Sequence, residues 1–348
     1  VEATDLGVFG TNSEIVGRDG GYSGILNGSV VWLYGDTFLT NPNAEGQTLI
    51  SDSWAWTTDL DASTGITGFQ QRSDTAGAPT MILTLTAAEQ AFNDAHQGTS
   101  CQQQPCGARW ALWPGAMLAD PTRSRALVFY QLVSAQPGNF NFQTVGYSVA
   151  SWQNFADLPQ RPVINPSAEH PDLLFTGNEP SFGAGALTVG DTLYAYGCDT
   201  SELSVACKLG RVALGSETDR SAWTYYAGNE TWSSQLGDAV AVFTGNFIMN
   251  VSWNAYLQQY VAVYNSPLAQ NVMMRTAPNP EGPWSREVLA FTALAPASGG
   301  SPVSDAQAHP EYNVNGGQTM YVTYSHATGA FSSKFHLVAV QLANTQSQ

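Results

Sequence analysis

Tyr22-Ser23-Gly24-Ile25-Leu26-Asn27-Gly28-Ser29-Val30-Val31-Trp32-Leu33-Tyr34 is the stretch on which the fold turns. An apolar segment runs into Asn27-Gly28 and out again through β-branched and aromatic residues. Asn and Gly accept the positive φ that a two-residue hairpin turn demands, so this reads as two antiparallel strands. The same plan returns four times: Gly115–Leu118 to Ala126–Tyr130 across Asp120–Ser124, and Gly183–Thr188 to Leu193–Tyr196 across Gly190-Asp191. Then come Phe247–Trp253 to Tyr260–Tyr264 across Asn254–Gln258, and Glu311–Val314 to Thr319–Tyr324 across Asn315–Gly317.

The tyrosines that close the second strands, Tyr34, Tyr130, Tyr196, Tyr264 and Tyr324, lie 96, 66, 68 and 60 residues apart, and 348 residues shared among five repeats gives about 70 each. The first interval is too long. Its excess falls at about 75–107, where Thr86-Ala87-Ala88-Glu89 is a capping box, 87–96 reads as a short helix and Gly98 as its stop. Beyond each hairpin lies further strand-like sequence, at Ser53–Thr57, Thr144–Val149, Leu209–Leu214, Val272–Thr276 and Phe335–Leu342, so each repeat supplies about four strands. Four-stranded units repeated radially are propeller blades. The expected fold is all-β: one five-bladed β-propeller domain over 1–348, with a helical insertion after the first blade.

Twelve Lys and Arg against 28 Asp and Glu give a net charge of −16. Nucleic acid and anionic membrane are therefore excluded as partners, since both are held by clustered cations. With 43% hydrophobic and 11% charged residues the chain has ample material for a core. Cys101–Cys106 and Cys198–Cys207 are two local pairs, read as disulfides of an exported protein. Sequons at Asn27, Asn229 and Asn250 bear on a glycosylating host alone.

The innermost strand of each blade lines the central channel, so residues near the turns are expected to converge: Asp19, Trp110 with Trp113, Glu179, Asn250 with Trp253, and His309 with Glu311. Acids, flat rings, an amide and a histidine suit a carbohydrate. In the first blade a two-residue Asn27-Gly28 turn places residues whose numbers sum to 55 opposite one another, which pairs Asp19 with Asp36. Like charges that close repel, and are kept for a shared proton, a bound cation or catalysis. A bulge at Gly20-Gly21 would break that register. Structural readings stand beside these: Asp19 paired with Arg18, Asp36 as a turn residue, Glu179 in a structural role, His309 as a core histidine, the tryptophans as packing.

Gly17-Arg18-Asp19-Gly20-Gly21-Tyr22-Ser23-Gly24 with Val31-Trp32-Leu33-Tyr34-Gly35-Asp36-Thr37-Phe38 resembles the opening of the DUF4185 proteins, secreted five-bladed propellers that include endo-D-arabinofuranases of glycoside hydrolase family 183. Val251–Leu257, Arg275–Pro278 and Pro280–Trp284 are similar to the fourth blade of furanosidase-type propellers, and His309–Glu311 with Val322–Ser325 to their last. The resemblance spans most of the chain except 75–107. It implies an essential aspartate pair in the first blade, matching Asp19 and Asp36, and blade position alone adds Glu179.

These readings lead to a secreted glycoside hydrolase acting on a furanose-containing polysaccharide, arabinan first, with Asp19 and Asp36 as catalytic pair and Glu179 in reserve. Arg18, Trp110, Trp113, Asn250, Trp253, His309 and Glu311 are expected to bind the substrate, a polysaccharide or oligosaccharide, and the protein to be a monomer. No cofactor is required. A channel calcium held by acids, carbonyls and His309 is compatible with the oxygen-rich surroundings. The competing reading is a non-catalytic, lectin-like propeller using Trp110, Trp113 and Trp253, and a third is a scaffold using the rim.

Overall fold

The computed structural model describes residues 1–97, 101–199, 205–297 and 300–343. Five antiparallel sheets follow one another around a ring as the blades of a propeller. Blade 1 comprises Ile15–Leu26, Ser29–Leu39 and Ser53–Thr57, with Leu49–Ile50 also on the second strand and Gln70 bridging Trp56 outside. Blade 2 comprises Arg109–Asp120, Arg125–Ala135, Phe142–Trp152 and Phe175–Thr176. Blade 3 runs Ser181–Val189, Thr192–Cys198, Ala206–Ala213 and Thr224–Gly228, extended by Thr231–Ser233 and Phe243–Thr244. Blade 4 is Asn250–Asn254, Gln259–Asn265, Asn271–Ala277 and Val288–Thr292.

Blade 5 departs from its sequence reading twice. Its first strand is Ser304–Ala308, because Pro310–Tyr312 forms a 3-10 turn where a strand over Glu311–Val314 was expected. Proline fixes its own φ and has no amide to donate to a ladder, so it ends the strand. Its outermost strand is Glu2–Val8 from the other end of the chain, antiparallel to Ser332–Gln341.

Second strands are buried on both faces, between neighbouring blades, and so read as unbroken apolar runs; Val30 to Tyr34 have no exposed surface. The five marker tyrosines are all buried there. Four use their hydroxyls to tie the second strand to more distant chain: Tyr130 to Asp172 (2.5 Å), Tyr196 to the Pro280 carbonyl (2.6 Å), Tyr264 to the Thr244 carbonyl (3.2 Å) and Tyr324 to Asp5 (3.3 Å). The repeat is thus a packing device, since a buried hydroxyl must find an acceptor.

Around the axis the inner strands approach closely at glycines. A β-carbon on Gly24 would stand 2.8 Å from Met117 Cγ of blade 2, one on Gly115 2.8 Å from the Gly183 carbonyl of blade 3, and one on Gly185 3.2 Å from Met249 Cγ of blade 4.

The helix Ala87–His96 forms with its capping box, Thr86 accepting from the Glu89 amide and Glu89 reaching back to the Thr86 amide. Gly98, expected to stop it, lies outside the described residues. Buried Arg161 fastens it, pairing with Glu89 at 2.6 Å and with Asp172 at 2.8 Å. Burial pushes Glu89 up, but the Arg161 guanidinium prevails and holds it below the usual carboxylate range. Cys101–Cys106 and Cys198–Cys207 are both disulfides, bonds of oxidising compartments that point to an extracytoplasmic location. Among the described residues no helix is long and apolar enough to cross a membrane.

Candidate active site

The site begins with an irregularity in the first strand of blade 1. From Leu26 back to Tyr22 the residues pair with Ser29 to Leu33 in the expected register, then the ladder shifts on either side of Gly20. Gly20 and Gly21 take φ of 85° and 82°, conformations natural to glycine. The pairing of Arg18 with Thr37 leaves Asp19 facing Gly35 and Asp36 as an unpaired step of the ladder. The expected neighbours therefore do meet, through a bulge and not as a regular cross-strand pair. The Asp19 carboxylate lies against Gly35, where any β-carbon would collide with Oδ1, and it accepts hydrogen bonds from its own amide and that of Asp36.

Asp19 and Asp36 open into a cleft of about 730 Å³ lined from three neighbouring blades. Blade 1 supplies Gly17 to Asp19, Asp36 and Phe38; blade 2 Arg109, Trp113 and the 135–142 loop; blade 5 residues 329–333. Asp19 is solvent-exposed in the cleft, while the protein packed around its carboxyl disfavours the charged form. Burial holds its carboxyl well above the usual range, and the charges of Asp305 and Asp36 add to the shift.

Asp36 is differently placed. Arg109 Nη2 donates to both of its oxygens at 3.2 and 3.3 Å, and Trp113 Nε1 donates at 3.0 Å. Burial prevails and raises this carboxyl too, with the Arg109 charge and the Trp113 hydrogen bond limiting the rise. Behind it, buried Asp52 accepts from the Ile82 amide at 2.5 Å and is pushed up to about 8 by burial, so that it stays protonated at neutral pH.

Below Asp19, Asp305 of blade 5 sits at φ 57°, accepting from Ser304 Oγ at 2.9 Å and from the Gly20 amide. Burial pushes Asp305 up to about 6. Tyr22 reaches across the axis to the Ala184 carbonyl at 3.4 Å, its hydroxyl raised by burial and by Asp305 and Asp19.

The expected ring of side chains does not converge. Arg109 and Trp113 are four apart and share a strand face, whereas Trp110 points the other way, packing on Phe92 (5.9 Å) and His170 (5.0 Å) while its backbone holds Asn93 of the helix. Glu179 lies outside the cleft, bound by Arg220 at 2.6 Å and by the Thr176 amide at 2.7 Å. Trp253, 43% exposed near its hairpin turn, packs edge-on against Tyr260, and Asn250 opens that strand paired with Val263; neither lines the cleft.

His309 is a core histidine, with no exposed surface. Its Nδ1 meets Ser23 Oγ and its Nε2 meets Thr323 Oγ1, both at 2.7 Å, and its ring lies 4.3 Å from Trp32. Burial pushes it down to about 3, so it is neutral. Glu311 accepts from the same Ser23 hydroxyl at 3.1 Å. Both ring nitrogens of His309 are engaged by hydroxyls, and among the described residues no three His, Cys, Asp or Glu side chains come together as metal ligands. Arg18 does line the cleft, with its guanidinium 3.3 Å above the Tyr34 ring and donating to the Gly10 carbonyl; among the described residues it forms no ion pair with Asp19.

Sequence reasoning missed Arg109, Tyr22, Asp305 and the phenylalanines of the walls. The Arg109-Trp110-Ala111-Leu112-Trp113 alternation does carry the signal that Arg109 and Trp113 share a face. An acid in the small-residue run Ser304-Asp305-Ala306-Gln307-Ala308 is a second signal.

No curated protein matches the sequence. Among solved structures, a Bacteroides ovatus protein provisionally described as a hydrolase superimposes with a TM-score of 0.62 at 15% identity, covering 95% of this chain and 87% of its own. A family 117 glycoside hydrolase produced by Zobellia galactanivorans gives 0.53 at 10% identity, covering 100% of this chain and 92% of its own. A glycosyl hydrolase from B. ovatus gives 0.50 at 13%, with coverages of 94% and 85%. At such identities the likeness is one of fold. The model of a family described as a domain of unknown function, DUF4185, matches residues 1–329, and the chain belongs to that family.

Proposed function

We propose that this protein is a secreted glycoside hydrolase that cleaves internal linkages of a furanose-containing polysaccharide, D-arabinan first, as the resemblance to family 183 implies. The observation that carries the reading is the Asp19 and Asp36 pair at the floor of one cleft, in surroundings that treat their protons differently. Two carboxyls whose environments separate their titrations are the arrangement that divides acid from base. Asp36, held by Arg109 and Trp113, is the ionised member and serves as base or nucleophile. Asp19 keeps its proton and delivers it to the departing glycosidic oxygen as the bond from that oxygen to the anomeric carbon breaks. The new bond to that carbon comes from a water whose proton passes to Asp36 or, with Asp36 as nucleophile, from its carboxylate, which water then displaces with its proton passing to Asp19. Glu179 has no part in this scheme, since Arg220 holds it outside the cleft. The glycoside hydrolases among the structural relatives support the class of reaction and leave the glycan open.

The test is release of reducing ends from a panel of arabinans, fructans and galactans. Asp19→Asn and Asp36→Asn are each expected to lower turnover by about 10³-fold or more with Tm nearly unchanged. Full activity in either variant removes that residue from the mechanism. Binding by the wild type without hydrolysis of any polymer replaces the enzyme with a lectin.

A further inference from the structure

Two phenylalanines on the cleft walls are strained and exposed together. Phe140, in the loop of blade 2, and Phe331, in the hairpin of blade 5, each have φ of 57°. Asn and Asp visit this left-handed region far more readily than bulky residues, for which it is a genuine outlier. Strain of this kind persists where surrounding structure enforces it, and it gathers at ligand clamps. Neither ring is repaid by burial, since Phe140 is 84% exposed and Phe331 48%.

Both line the same cleft. Blades 5 and 2 are the two neighbours of blade 1, which holds Asp19 and Asp36, so the rings rise from opposite sides of the acids. Phe331 packs 5.1 Å from Phe38, while the strand that follows the Phe140 loop opens on Phe142, which packs 4.9 Å from Trp113, itself bound to Asp36. The cleft's arginines are both occupied, Arg109 by Asp36 and Arg18 by Tyr34 and Gly10, so no uncommitted guanidinium favours an anionic polymer. About 730 Å³ is space for a ligand of several sugar rings.

We propose that Phe140 and Phe331 are a strained aromatic clamp that grips consecutive sugars of a neutral polysaccharide from both sides of the acids. The clamp deepens the hydrolase reading and rests on its glycan substrate. It also separates function from stability, because relieving the strain should leave the fold intact while weakening the grip.

Phe140→Asn, Phe331→Asn and the double variant test this. Asparagine accepts the left-handed backbone, so Tm is expected to hold or rise. On the polymer that the wild type cleaves, KM is expected to rise about three- to tenfold for each single variant, the range one ring contact supports, with kcat changed little. Affinity electrophoresis in gels containing the same arabinans, fructans and galactans gives a reading independent of turnover. Unchanged KM and retardation in both variants overturns the clamp while leaving the hydrolase standing. A fall of Tm by many degrees also overturns it, because the rings would then be packing groups. Retardation without hydrolysis, lost in the variants, supports the clamp and sinks the hydrolase. Neither binding nor hydrolysis by the wild type overturns both.

Discussion

Asp36 and Asp19 are neighbours through a bulge, yet what surrounds them pulls their titrations apart. Arg109 and Trp113 favour the charged form of Asp36; the walls of the cleft and the charge of Asp305 disfavour that of Asp19. The rate should rise as Asp36 loses its proton and fall as Asp19 loses its own, giving a bell-shaped profile. Arg109→Gln removes a nearby cation, so the Asp36 carboxyl rises and the acid limb is expected to move up by about 1 pH unit or more. Asp305→Asn removes a negative charge beside Asp19, whose carboxyl then falls, and the alkaline limb is expected to move down. Asparagine suits the φ of 57° at that position, so the fold should persist. Profiles of kcat/KM against pH check both signs, and movement of either limb in the opposite direction reverses the acid and base roles.

At the scale of elements, the inserted helix Ala87–His96 is tied by one buried ion-pair hub besides the Asn93 bonds to Trp110. Arg161 stands between Glu89 and Asp172, and Asp172 also accepts from Tyr130 of blade 2. All three ion-pair members are buried, with side-chain exposures of 7%, 6% and 4%. Removing the cation leaves two buried carboxylates unpaired, a change that costs about 3–5 kcal/mol. Arg161→Ala is therefore expected to lower Tm substantially and to speed amide exchange across residues 87–96. Retained Tm with unchanged exchange would show that the capping box and Asn93 hold the helix unaided. Because Asn93 bonds the backbone of Trp110, next to Arg109, loosening this element also loosens one wall of the cleft.

For the molecule as a whole, closure of the ring is a pairing between chain ends. Glu2–Val8 completes the sheet of blade 5, and Phe9 continues into the core against Trp32 and Phe335. Blade 5 supplies Phe331 to one wall and, beneath Asp19, the buried Asp305 whose charge acts on it, so ring closure and the site are linked. Deleting residues 1–8 exposes the Ser332–Gln341 strand edge and is expected to abolish a single cooperative thermal transition, measured by calorimetry. An unchanged transition would show that contacts between blades close the ring without it.

Local chemistry was enough for much of this protein. Asn-Gly and Gly-Asp turns, apolar second strands and a buried tyrosine in each repeat specified the five blades, the Thr86 capping box specified the helix, and the Asn27-Gly28 turn brought Asp19 to Asp36. These features depend on neighbours within one hairpin, where periodicity and turn geometry act directly. Only the tertiary structure decided which inner-strand residues share a cleft. Trp110 and Trp113 part company by strand parity, Glu179 is taken by Arg220, and His309 is sealed among Ser23, Thr323 and Trp32. Convergence depends on bulges, on how far each inner strand slides along the axis and on which loop overhangs it. Those are relations between blades, settled by packing between segments distant in the chain.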